Sequence, residues 1–224
     1  MTISKCLAGL FLVLLIDQPL CAQRRYYAGT AAGIATLSAD AQTVIEPVTT
    51  AVSLYRPFNG AAVNAFGGID LTDIITLQGN YVWNRNDVTV FSTRLSGTHQ
   101  DLIEDKRTLG QQALIGDLLI YFRDRGQWAR PYLSVGGGAV RLHSESQAFV
   151  NVRGEHSPLP TEFGTTLAAL RVAVGIDLAL RSGWAFRFTF SETIQQNTVS
   201  ERLSPPGARN LSNFQNLFGF LKRF

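Results

Sequence analysis

Asp117, Arg171, Asp177 and Arg187 stand inside apolar stretches of this 224-residue chain. Three of them sit between bulky hydrophobic neighbours: Leu170-Arg171-Val172, Ile176-Asp177-Leu178 and Phe186-Arg187-Phe188. A charge in such a setting is kept where it meets an opposite charge, or where it serves a proton or ion path. Two acids and two bases make mutual pairing the first expectation, and a gate or proton path the second.

Other groups that could do chemistry are weaker. The three histidines are His99, His143 and His156. His143-Ser144-Glu145 places a base, a hydroxyl and an acid side by side. Successive side chains of an extended chain point to opposite faces, so these do not converge as a nucleophilic triad must. Gly136-Gly137-Gly138 lacks the Lys-Ser/Thr and the helix of a phosphate loop, and in a strand it permits bending or close packing. Asp101, Glu104 and Asp105 could hold a divalent cation. With Lys106 and Arg107 beside them, they read as a solvated loop tip. No metal, cofactor or catalytic residue is expected.

The elements that must carry these residues are strands. Composition leans that way, with 14 Phe and 20 Gly against one Met. No apolar run is long enough for a transmembrane helix after the N-terminal segment. Period-two segments of about nine to eleven residues recur instead, the length of a tilted membrane strand. Trp184, Phe186, Phe188 and Phe190 alternate with Ala185, Arg187, Thr189 and Ser191. Leu170, Val172, Val174, Ile176 and Leu178 alternate with Arg171, Ala173, Gly175 and Asp177. Ile75, Leu77, Gly79, Tyr81 and Trp83 alternate with Thr76, Gln78 and Asn80. Val63 to Leu71, Leu114 to Phe122 and Phe214 to Phe224 follow the same rule. Two further segments, Tyr27 to Leu37 and Arg130 to Leu142, are strand-like with indistinguishable faces. Short connections at Thr72-Asp73, Arg123 to Ala129 and Arg181 to Gly183 alternate with long ones at Ser38 to Gly60, Asn84 to Gly110, His143 to Gly164 and Gln196 to Leu211.

Alternation alone says only that one face is apolar. A soluble lipocalin-like barrel would turn that face inward. Here the opposite face is too small and too poorly charged for a water surface, and it suits the cramped interior of an eight-stranded barrel. Aromatics near strand ends, Tyr81, Trp83, Phe122 and Trp184, suit interfacial girdles. Arg or Lys facing lipid near the midplane costs roughly 2–4 kcal/mol, so Arg171, Asp177 and Arg187 are expected to point inward. If Leu180 pairs with Trp184, Asp177 lies opposite Arg187. The expected result is an interior Asp177–Arg187 ion pair, joined by Asp117 and Arg171, in a plugged lumen.

The N-terminus reads as a secretory signal over residues 1–22. Lys5 supplies the positive region, Leu7 to Ile16 the apolar core, and Leu20-Cys21-Ala22 the cleavage site. The apolar core is too short for a membrane anchor, and Leu20 is too bulky for lipidation at Cys21. Both cysteines fall in this segment, which leaves a mature chain, residues 23–224, without thiol chemistry. The net charge of +3 carries no dense basic run and argues against nucleic acid.

The closing segment, Asn213 to Phe224, alternates aromatics and ends in Phe. With it, the chain resembles the small OmpA/OmpX-type outer-membrane β-barrel domains. The resemblance implies an all-β, eight-stranded antiparallel up-and-down barrel in the bacterial outer membrane, with both termini, and short turns, in the periplasm and long loops outside. It also implies barrel assembly machinery and periplasmic chaperones as partners, with Phe218, Phe220 and Phe224 forming the assembly signal. It names no substrate, because the fold serves many functions. Arg85, at the expected exit of the third strand, is a candidate contact for lipopolysaccharide phosphates. The leading expectation is a monomeric structural or surface-interaction barrel. A narrow channel for small or hydrophobic molecules is the alternative, and a lipid-modifying enzyme is less favoured.

Overall fold

The computed structural model describes residues 26–39, 42–45, 49–96, 99–152, 162–199 and 210–224. The expected signal segment lies outside them, as do His156 and the side chains of His99 and Asp101. The strands are β1 Tyr26–Ser38, β2 Gln42–Ile45, β3 Thr49–Pro57, β4 Asn59–Asp70, β5 Ile75–Ser96, β6 His99–Tyr121, β7 Ala129–Val152, β8 Glu162–Ala179, β9 Trp184–Gln196 and β10 Asn210–Arg223. A closed antiparallel ring runs β1, β4, β5, β6, β7, β8, β9, β10 and back to β1. β3 prolongs the line of β4 along β5, and β2 folds back on β3.

Paired residues can be followed once around the ring, from Tyr27 through Gly68, Gln78, Asp117, Gly136, Arg171, Thr193 and Asn213. The path returns to β1 at Leu37, ten residues beyond its start. A stagger of that size goes with strands tilted about 40° and an interior just wide enough for side chains.

Facing follows the alternation. Leu77, Leu118, Val135, Val174 and Phe220 are exposed on the outside, while Gln78, Asp117, Ser134, Arg171 and Arg187 are buried inside. The two ambiguous strands are settled by their registers: Tyr27, Ala31, Ala35 and Leu37 of β1, and Tyr132, Ser134, Val140 and Leu142 of β7, point inward. Tight turns and both described chain ends share one end of the barrel, where the Phe224 amide donates to the Tyr26 carbonyl at 2.9 Å. The turn between β8 and β9 places Ser182 at φ 59° and Gly183 at φ 76°. Two successive left-handed residues match the twist of an antiparallel hairpin.

The long connections require correction. Most of Asn84 to Gly110 is strand: β5 and β6 pair from Ile75–Ile120 out to Ser96–His99. The connections Ser38 to Gly60 and His143 to Gly164 likewise hold β2, β3 and the outer part of β7. Successive rows across the outside of β5, β6 and β7 show the cause. Tyr81–Leu114–Ala139 is apolar, Trp83–Gln112–Arg141 is mixed, and Arg85–Gly110–His143 and Asp87–Thr108–Glu145 are polar. Over the same stretch apolar residues enter the inner face, with Val88, Val90, Leu109 and Leu142 buried beside Arg107, Asp105 and Ser144. The alternation does not stop at Arg85; its outer face turns polar and its inner face gains apolar residues. The strands leave lipid there and continue as a water-exposed sheet with its own core.

Candidate functional site

The lumen collects the four charged residues singled out by the sequence. Asp177 and Arg187 are paired across the β8–β9 hairpin. Arg187 donates from Nε to Asp177 Oδ1 at 2.6 Å and from Nη2 to Oδ2 at 2.9 Å. Such a two-pronged fork is the strongest geometry open to an arginine and a carboxylate. Tyr121 donates its hydroxyl to Asp177 Oδ2 at 2.9 Å, and Arg223 donates to the same oxygen at 2.8 Å. Arg187 further donates to Gln78 Oε1 at 2.5 Å, and its guanidinium carbon lies 4.8 Å from the Phe66 ring centre. These contacts offset the large desolvation cost of a fully buried guanidinium.

Arg171 and Asp117 form a second pair at 2.5 Å, with Ser191 accepting from Arg171 at 3.2 Å. Two amides tie the pairs together. Gln78 donates to Asn80 Oδ1 at 2.8 Å, and Asn80 donates to Asp117 Oδ2 at 3.0 Å. The order Arg187, Gln78, Asn80, Asp117, Arg171 is thus one hydrogen-bonded chain across the lumen. The space left among these groups is about 10 Å³, room for about one water. The arrangement is a polar plug.

Toward the far end, Leu37, Val88, Val90, Leu109, Leu142, Val199 and Leu211 form a buried apolar cluster. Opposite Val88 and Val90 of this cluster, Arg107 meets Asp105 at 2.7 Å and donates to Ser144 Oγ at 2.7 Å, while Ser146 donates to Asp105 at 2.7 Å. Both side chains are almost completely buried. This corrects the solvated-tip expectation for Asp105 and Arg107. The missed signal is their spacing: residues two apart in a strand share a face, and here the face is the inner one. In the supposed cluster His143-Ser144-Glu145, Ser144 is buried inside while His143 and Glu145 are exposed outside, with His143 3.6 Å from Glu162.

Arg85 lies on the outer face, exposed, opposite Gly110 and two residues beyond Trp83. It forms no ion pair among the described residues. Contrary to expectation its strand does not end there but runs on to Ser96, and Arg85 marks the row where the outer face turns polar. Phe218, Phe220 and Phe224 all face outward and are more than half exposed. Tyr26, Phe122, Trp128 and Trp184 are exposed around the same end as Phe224, the position of an interfacial girdle.

The glycine run of β7 serves packing. A Cβ on Gly136 would run into the Asp117 carboxylate and the Gly116 carbonyl, and on Gly138 into the Leu114 carbonyl. Gly136→Ala is expected to displace Asp117 from Arg171 and to cost about 1–3 kcal/mol. Urea titration of the protein folded in lipid vesicles checks this; an unchanged midpoint would show the contact to be relaxed at no cost.

A closed ring of eight strands, aliphatic toward lipid and filled by a paired polar network, defines a transmembrane β-barrel of the outer-membrane class. The description "outer membrane protein beta-barrel domain" matches residues 8–216, and the chain belongs to that family. Similar solved structures include Neisserial surface protein A, 12% identical over 91% of this chain and 100% of that one, with a TM-score of 0.50. The attachment invasion locus protein Ail of Yersinia pestis is 8% identical over 91% and 100% of the two chains, also with a TM-score of 0.50. The outer membrane protease OmpT of Escherichia coli is 10% identical over 93% and 99%, with a TM-score of 0.56. At these identities the likeness is one of fold. No curated protein sequence matches the chain.

Proposed function

We propose that this chain is a non-catalytic surface-interaction barrel: it anchors, and holds rigid, a β-sheet that projects from the outer membrane. The observation that supports this most is the filled lumen. Two linked ion pairs occupy its middle, and an apolar cluster fills it above them. The projecting sheet of β2, β3 and the outer parts of β5, β6 and β7 then becomes the part of the molecule available to a partner. In this reading the end with the tight turns and termini faces the periplasm, and the sheet faces outward. Phe218, Phe220 and Phe224 are read by the assembly machinery after delivery by periplasmic chaperones, and Arg85 contacts a lipopolysaccharide phosphate. The barrel works as a monomer.

Planar-bilayer recording of the refolded chain tests the reading against a channel. The expected trace carries no reproducible single-channel steps, and steps that change in size on Arg187→Ala would replace the plug with a gate. The positive half is tested on bacterial cells. Replacing residues 88–107 with a short turn should leave the heat-modifiable barrel intact and abolish the adherence that the intact chain confers on an otherwise non-adherent bacterial strain. Equal binding by the two cell lines would remove the sheet from the function.

A further inference from the structure

A groove of about 920 Å³ runs along the outside of the barrel where the lipid face ends, lined by Phe58, Trp83, Arg85, Asp87, Lys106 and Thr108 among others. Its volume lies in the range of small-ligand sites, which are commonly apolar clefts with a few placed polar groups. Trp83 stands at its membrane end and Arg85 one row further out. Beside Arg85 the wall is open, since a side chain at Gly110 would meet nothing within 4 Å. Lys106 stands at the outer end, opposite Thr89, four residues beyond Arg85 along β5. Strand geometry puts the two cations about 14 Å apart, one above the other along the strand direction. Lys106 is 61% exposed and only loosely paired with Glu104 at 3.7 Å. Asp87, between them, accepts a 2.7 Å hydrogen bond from Thr108, and Arg56 lies 5.5 Å above the Phe58 ring.

These features specify an occupant. A groove that begins at the membrane boundary is entered by something already anchored in the outer leaflet. A guanidinium at its base suits a phosphate, which arginine grips in two-pronged fashion. The Phe58 ring, an acid and a hydroxyl between the cations suit a sugar ring and its hydroxyls. A second cation further out suits an anionic group carried on the saccharide. We propose that the groove seats the phosphorylated saccharide of one outer-leaflet glycolipid, with the lipid-proximal phosphate on Arg85 and an anionic group of the inner-core sugars on Lys106. The proposal rests on the Arg85 contact and extends it by the length of the groove.

Native mass spectrometry of the detergent-solubilised chain with three defined lipids tests it: lipid A, a rough lipopolysaccharide carrying the phosphorylated inner core, and phosphatidylglycerol. The core-bearing lipid should bind about tenfold more tightly than lipid A, the size of one lost charge-assisted contact. Lys106→Ala should erase that difference while leaving lipid A binding unchanged. Arg85→Ala should weaken both glycolipids about tenfold. Phosphatidylglycerol should bind more weakly than either. Equal affinity for lipid A and the core-bearing lipid, or an increment that survives Lys106→Ala, overturns the groove while leaving Arg85 its phosphate. Lipid A binding unaffected by Arg85→Ala overturns the Arg85 contact itself and the groove with it. Phosphatidylglycerol binding as tightly as the glycolipids overturns the saccharide.

Discussion

Asp177→Ala should destabilise the folded barrel more than Arg187→Ala, by about 3–5 kcal/mol against a smaller loss. The two residues form one pair, yet their surroundings differ. Without Arg187, Asp177 keeps Arg223 at 2.8 Å and the Tyr121 hydroxyl at 2.9 Å, so its charge is still answered. Without Asp177, the fully buried Arg187 keeps Gln78, Tyr121 and the faces of Phe66 and Tyr132, none of them anionic. A charge left unanswered inside a closed barrel is the costly outcome, because the guanidinium cannot shed its proton. The double change Asp177→Leu with Arg187→Met removes both charges at similar volume and should recover most of the loss. Urea midpoints of the four proteins in lipid vesicles give the cycle. Costs that simply add would mean that the two residues do not act as a pair.

The placement of that pair was legible because two constraints coincide. The lipid penalty forces charged residues inward, and the three residues of the Arg181-Ser182-Gly183 turn fix which residue faces which. Where a single constraint acted, the sequence left the matter open. β1 is built of Ala, Gly and Thr, which either face accepts, and only its pairing with β4 and β10 settles that Tyr27 and Leu37 face inward. The alternation in β5 turns Gln78 and Asn80 inward, but their role as the link between two ion pairs depends on side-chain reach across the lumen. Asp105 and Arg107 were misplaced for a different reason. A segment rich in charge resembles a loop when the rule applied is that of a strand in lipid. Beyond Arg85 the outside is water, so the outer face carries charge too, as at Lys106, and the inward Asp105 and Arg107 no longer stand out against an apolar face.

That reversal of solvent leads to a second large effect. Leu142→Ala should cost about 2–5 kcal/mol, whereas Leu114→Ala should cost well under 1 kcal/mol. Both are leucines in strands of the same barrel, and Leu114, between Ala113 and Ile115, has the more apolar sequence neighbours, where Leu142 stands between Arg141 and His143. Leu114 is 70% exposed on the lipid face, so most of its contacts are already with acyl chains, which close over a smaller side chain. Leu142 is fully buried among Leu37, Val88, Val90, Leu109 and Leu211, with no lipid or water to fill the space it leaves. The damage from Leu142→Ala should also be confined. This cluster lies beyond the paired polar plug, so the projecting sheet loosens while the ring in the membrane holds. Limited proteolysis of vesicle-bound protein should then cut β5 to β7 beyond Arg85, while the remaining fragment keeps its heat-modifiable shift. Loss of sheet and ring together would instead mean that the apolar cluster and the polar plug are one cooperative unit. The far half of the molecule would then serve as the cap that holds the barrel shut, in addition to projecting from it.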